Sequence, residues 1–187
     1  MVFTVWKKSL KFLKIQKTFY KKFFGGVCKG QSPLKKKGIE MKRIVVGCDH
    51  AAYDMKLEVI KHLKGRGYDV TDVGCHSSES VHYPIYALAV AEKVASGEFD
   101  KGILICGTGI GMSIAANKVK GIRAAVCENE FSTEMTRAHN DANVLCMGAR
   151  VIDTDKAIKL TDIFLDTQFM GDKHLTRINM IKDIENK

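Results

Sequence analysis

The sequence predicts an α/β protein, a three-layer αβα sandwich built on a Rossmann-like, five-stranded parallel sheet. Three observations lead there. From Arg43 onward, short apolar runs alternate with longer segments of helical period. The short runs lack strict alternation of apolar and polar residues, which marks strands covered on both faces. With 45% hydrophobic residues in a chain of 187, there is enough apolar material for one sizeable core and not for two large ones.

Taken in order, Arg43 to Cys48 (RIVVGC) reads as a strand and Ala51 to Lys64 as a helix. Asp69 to Val73 is the next strand, and Pro84 opens a helix that runs to Ala95, because proline fits the first helical turn. Gly102 to Cys106 is a strand, Ile110 to Asn117 a helix, Ile122 to Cys127 a strand, Phe131 to Ala138 a helix and Val144 to Met147 the last strand. Helices from Thr154 to Leu165 and from Lys173 to Glu185 finish the chain.

Charge divides the chain into two parts. The formal net charge of +9 taken whole would suggest nucleic acid or an acidic membrane. Residues 1–40 hold eleven lysines and one acid, Glu40, so this segment alone carries +10, while the remaining 147 residues carry −1. The body, residues 41–187, is therefore nearly neutral, and neither nucleic acid nor a stable membrane association is expected of it. No apolar run approaches bilayer-spanning length. The leading segment mixes lysine with phenylalanine, leucine and tryptophan before a Gly/Ser/Pro/Lys stretch. It reads as a disordered or non-native extension, an organellar targeting segment, or a binding helix. Six cysteines form no C-x-x-C pair and no compact Cys/His spacing, which argues against structural zinc and dithiol chemistry and implies a reducing, cytoplasmic or matrix-like compartment.

In open parallel sheets, ligands bind beyond the carboxyl ends of the strands. The polar residues at predicted strand ends are then the candidates: Asp49 and His50, Cys106 to Gly111, Glu128 and Asn129, and Arg150. Gly107, Gly109 and Gly111 form G-x-G-x-G rather than a dinucleotide fingerprint, so no nucleotide cofactor is expected. Successive N–H groups of such a turn can line an anion-binding concavity, and the same donors favour a thiolate at Cys106. A buried cysteine also packs as a small hydrophobe, which is the reading for Cys48, Cys127 and Cys146, whereas Cys75 lies in a loop with no evident partner. Thr108 has a hydroxyl able to shuttle a proton or to cap the turn. His139 and Asn140, with Arg137, end a helix, and histidine moves protons near neutral pH. Arg150, Lys173 and Arg177 are candidate phosphate clamps, the last two being i and i+4 on one helix face. A thiolate, a histidine, a glycine turn and cations suit proton transfer between adjacent carbons of a sugar phosphate. A metabolite-binding module remains open on the same residues. A cysteine phosphatase is disfavoured, because Met112 stands where a C-x5-R loop would place arginine.

The stretches GCDHAAYDMK from Gly47, HYPIYA from His82, GILICGTGIGMSIAANK from Gly102, GIRAA from Gly121, RAHNDANVLCMGAR from Arg137 and KHLTR from Lys173 resemble, in order, the sugar-phosphate isomerase family that includes ribose-5-phosphate isomerase B and the galactose-6-phosphate isomerase subunits. The resemblance covers about residues 41–185. It implies a cofactor-free, metal-free aldose-ketose isomerase acting on ribose 5-phosphate, and a homo-oligomer, dimer or tetramer, with active sites shared between subunits. It also implies roles. Cys106 is the base, Gly107, Gly109 and Gly111 offer backbone donors to an enediolate, and Thr108 assists transfer between oxygens. His139 and Asp49 open the sugar ring, Asn140 and Tyr83 contact the sugar, and His50, Arg150 and Arg177 hold phosphate. The sulfur of Cys106 is expected to be open to solvent. Lys173 departs from the family's usual arginine, and His82 and Ile85 replace two acids, which touches substrate choice more than reaction type.

Overall fold

The computed structural model describes residues 42–187; the sequence reading of residues 1–40 falls outside them. Strands β1 (Arg43–Cys48), β2 (Asp69–Asp72), β3 (Lys101–Cys106), β4 (Ala124–Val126) and β5 (Val144–Gly148) form one parallel sheet in the order β2-β1-β3-β5-β4. The helices are α1 (Tyr53–Gly65), α2 (Tyr83–Ala95), α3 (Ile110–Ala116), α4 (Glu130–Ala138), α5 (Thr154–Asp166) and α6 (Asp172–Glu185).

Side-chain alternation along each strand feeds two separate cores. Ile44, Val46, Ile103, Ile105, Leu145 and Met147 pack with Val59 and Leu63 of α1 and Leu160 and Phe164 of α5. Val45, Leu104, Val144 and Cys146 face the other way, onto Val90 and Ala91 of α2 and Met112 and Ala116 of α3. Both faces of β3 are sealed, which is why GILIC reads as an unbroken apolar run.

Local chemistry starts the helices. Asp49 accepts the Ala51 N–H at 2.9 Å and caps a single 3-10 turn, His50–Ala52, ahead of α1. Asn129 caps α4 through the Ser132 N–H, and Asp153 caps α5 through the Lys156 N–H. The strand expected over Ile122–Cys127 is shorter, Ala124–Val126. Arg123 N–H instead donates to the Asn143 side chain at 2.8 Å, although its carbonyl still accepts the Asn143 N–H at 3.1 Å.

The strand order fixes where a ligand can sit. After β1 the chain steps outward to β2, then crosses to the other side of β1 to lay down β3. The crevice of a doubly wound sheet opens at such a reversal, beyond the carboxyl ends of the two strands that flank it. Here those ends carry Asp49–His50 and Cys106–Gly111.

Candidate active site

Cys106 is the last residue of β3, and the turn after it folds back over the sulfur so that the Gly109 N–H donates to Sγ at 3.1 Å. Gly109 makes this possible: its φ of 77° lies in the left-handed region, and a Cβ there would sit 3.0 Å from the Met147 backbone. The neighbouring strand is equally tight, since a Cβ on Gly148 would meet the Thr108 backbone at 2.7 Å. Thr108 is exposed, and its Oγ1 accepts the Ile110 N–H at 3.4 Å, so the hydroxyl closes the turn and remains accessible. The sulfur is less open than expected: Cys106 is 5% exposed in the single chain, because the glycine turn lies directly over it.

Around this turn one chain gathers several of the expected residues. The Asp49 N–H donates to the carbonyl of Ile105 at 3.1 Å, which ties the Asp49–His50 segment to the residue before Cys106. His50 Nδ1 accepts the Val81 N–H at 3.2 Å, a bond that places the ring proton of neutral His50 on Nε2. The Tyr83 ring lies against Gly111, and the Arg150 side chain lies against Gly107, whose carbonyl accepts the Arg150 N–H at 3.0 Å. Asp49, His50, Tyr83, Cys106, Gly107, Thr108, Gly109, Gly111 and Arg150 thus gather around one turn.

His139, Asn140, Lys173 and Arg177 do not join them within the chain. Helix α4 runs back from the carboxyl edge of the sheet, so His139, at its C-terminus, stands at the amino edge, before β5 begins. A strand the length of β3 separates the two edges, roughly 17–20 Å. His139 lies flat on His174 of α6, ring centroids 4.2 Å apart and planes within 4°. The carbonyl of Ala138 accepts the Met170 N–H at 3.0 Å, which brings the start of α6, and with it Lys173 and Arg177, to the same edge.

His174 was not singled out from the sequence, although it lies between the two cations that were. It is 6% exposed, and burial, followed by the charges of His139, Lys173 and Arg177, lowers its pKa from the ordinary histidine value. A neutral ring is thereby favoured under His139, and only its packing on His139 distinguishes it. Gly148 was missed as well; its need for close approach to Thr108 is a tertiary contact with no local signature.

The other described cysteines behave as packing. Burial pushes the Cys48 thiol up to about 12 and those of Cys127 and Cys146 upward. Cys75 does have a neighbour, the Cys48 sulfur at 3.8 Å. Among the described residues no group of three or more His, Cys, Asp or Glu side chains is placed to hold a metal ion, and no helix is long and apolar enough to cross a membrane.

A doubly wound domain with a thiol under a glycine turn at its switch point, flanked by an Asp-His pair and an arginine, defines a class of enzyme that works on small anionic metabolites. Comparison with known proteins makes this specific. The model of the family described as Ribose/Galactose Isomerase matches residues 44–181. The chain is 49% identical over 147 residues to ribose-5-phosphate isomerase B of Escherichia coli (strain K12), covering 79% of this chain and 99% of that protein. The structure of Clostridium thermocellum ribose-5-phosphate isomerase B matches with a TM-score of 0.76 at 53% identity, over 77% of this chain and 97% of that one. That of Mycoplasma genitalium ribose-5-phosphate isomerase B with bound ribulose-5-phosphate matches with a TM-score of 0.77 at 38% identity, over 79% and 99%. This chain belongs to the ribose/galactose isomerase family.

Proposed function

We propose that the protein interconverts D-ribose 5-phosphate and D-ribulose 5-phosphate, a step of the pentose phosphate pathway, through a cis-enediolate. The substrate is that of the relatives just described, and the observation that carries the chemistry is the Cys106 sulfur held under the Gly109 N–H at the switch point. After ring opening, the Cys106 thiolate takes the C2 proton, and the electron pair left behind forms the C1–C2 double bond as the aldehyde oxygen becomes an oxyanion. Backbone N–H groups of the Gly107–Gly111 turn stabilise charge that exists only during reaction, where stabilisation raises the rate. Thr108 relays the proton between O2 and O1. The thiol then returns its proton to C1, leaving the ketone at C2. Asp49 and His139 act in ring opening, Asn140 and Tyr83 on the sugar, and His50, Arg150, Lys173 and Arg177 on the phosphate. The five described cysteines are all free, in keeping with a cytoplasmic, reducing location.

This assignment requires two subunits, because the ring-opening histidine and Cys106 of one chain stand at opposite sheet edges. We therefore read the protein as a homo-oligomer in which Cys106 of one chain works with the partner subunit's His139. The outer surface of α2 and α3 suits such pairing, with Ile85 64%, Leu88 47%, Ile110 54% and Ile114 58% exposed beside the Cys106 turn. Residues 1–40 are dispensable in this reading, and a chain starting at Met41 is expected to keep its kcat/KM.

Complementation tests the whole arrangement. Cys106→Ala and His139→Asn are each expected to lose activity by roughly two to four orders of magnitude while remaining folded. An equal mixture allowed to exchange subunits regains one intact site per mixed dimer, about a quarter of wild-type activity for random assortment. A mixture that forms mixed dimers and stays inactive would refute sharing. Ribose 5-phosphate is expected to give a higher kcat/KM than allose 6-phosphate or galactose 6-phosphate, and the reverse order would move the assignment to a hexose.

A further inference from the structure

A cavity of about 420 Å³ opens at the amino edge of the sheet, the opposite edge from Cys106, among Lys42, Arg43, Lys101, Arg137, Asp100 and the α5–α6 connection at Leu165, Thr167 and Gln168. Four cations line it against one carboxylate, and the Asp100 carboxylate already accepts the Arg43 N–H at 2.8 Å. Leu165 is the lone large apolar residue, so the cavity is not built for a hydrophobic guest.

Arg137 adds an independent sign. It is 7% exposed, and its guanidinium is satisfied on one side, where Nη1 donates to Asp141 at 2.7 Å and to the carbonyl of Ala142 at 2.6 Å. Its Nε is buried with no hydrogen-bond partner among the described residues. Orphaned buried donors on a charged group are uncommon. Among the described residues the Lys42 ammonium donates to the carbonyl of Leu165 at 3.3 Å and Arg43 to the carbonyl of Gly97 at 3.2 Å, and each side chain has more donors than these bonds use.

We propose that this cavity is a second anion site, distinct from the reaction crevice, that binds the phosphoryl groups of a diphosphate or phosphorylated metabolite through Arg137, Lys101, Arg43 and Lys42. The space exceeds that of one oxyanion and lies in the range of small-ligand pockets. Burial, followed by the charge of Arg137, pushes Lys101 down to about 8, with Asp141 opposing and Arg123 and Lys42 adding to the shift; a bound anion relieves that crowding of cations. Occupancy would also bear on the isomerase chemistry, because Arg137 ends the helix that carries His139.

The site is tested by titrating full-length protein with inorganic pyrophosphate, followed by calorimetry, in the wild type and in the Arg43→Gln/Lys101→Gln double variant. The variant is expected to lose about tenfold or more in affinity for one binding event, the loss of two charge contacts, with kcat/KM for ribose 5-phosphate unchanged. An unaltered isotherm would overturn the proposal. So would a parallel loss of kcat/KM in the folded variant, which would place the anion in the reaction crevice. Should the double variant unfold, Lys101→Gln alone, which removes a crowded charge, carries the same comparison. Failure here leaves the isomerase assignment untouched, since none of the four cations that line the cavity has a role in that reaction.

Discussion

Gly109 carries more of the site than its size suggests. Its left-handed backbone swings the N–H back onto the Cys106 sulfur, and the space a side chain would need is filled by the Met147 backbone at 3.0 to 3.1 Å. Gly109→Ala is therefore expected to destabilise the fold by about 1 kcal/mol or more and to reduce kcat more than it raises KM. Urea melts and steady-state kinetics check this, and an unchanged kcat would detach the turn from the chemistry. At this scale the sequence was informative. Cys106, Thr108 and the glycines stand together in the chain, and their proximity needed only a strand-to-helix turn. His174 and Gly148 were not legible, because each acts through a contact with a residue distant in sequence.

At the scale of elements, the helix α1 is fastened to the sheet by a charge that the helical pattern conceals. Lys56 is fully buried, its Nζ donating to both Asp72 oxygens at 2.9 and 2.7 Å and to the carbonyl of Cys75 at 2.6 Å. The bridge joins α1 to the end of β2 and the loop beyond. Asp72→Asn leaves a buried ammonium without its counter-charge and is expected to cost roughly 2–4 kcal/mol in a denaturant melt. Adding Lys56→Met should recover much of that loss, which separates an unpaired charge from lost packing. Strand β3 begins with a second strained lysine. Lys101, shifted from 10.5 to about 8, disfavours the fold while it is charged. Below pH 8 it is protonated folded and unfolded, and the cost is fully present. Between about 8 and 10.5 the unfolded chain holds the extra proton, so stability rises with pH. In phosphate-free buffer, Lys101→Met is expected to raise Tm at pH 7 by an increment that shrinks as pH rises through this window. A constant increment would assign the effect to packing.

For the whole molecule, two outer helical faces of the described chain are apolar. Helix α6 buries His174 and Ile178 and leaves Leu175, Met180, Ile181 and Ile184 exposed, and α2 and α3 present a further apolar surface beside the Cys106 turn. Such a surface suits the homo-oligomer contact proposed above. Ile114→Asp is expected to dissociate the oligomer in sedimentation analysis and to abolish turnover with the monomer folded. An active monomer would show that Cys106 and His139 of different chains need not meet.

The sequence by itself determined the order of strands and helices along the chain and the parallel sheet with two covered faces, and it singled out the glycine turn after Cys106 that is proposed to react, because periodicity and turn chemistry are local properties. Element limits differed mainly at β4, where the Asn143 side chain takes the Arg123 N–H that the expected longer strand would have used. Only the tertiary structure divided the candidate residues between two edges of the sheet. Each crossover helix reverses the chain, so Cys106 and His139, proposed to act together, finish about a strand length apart. The buried Lys56 bridge, the His139–His174 stack and the cationic cavity around Arg137 likewise came from tertiary structure, because each is set by side chains that meet across elements and leaves no period, spacing or motif along the chain.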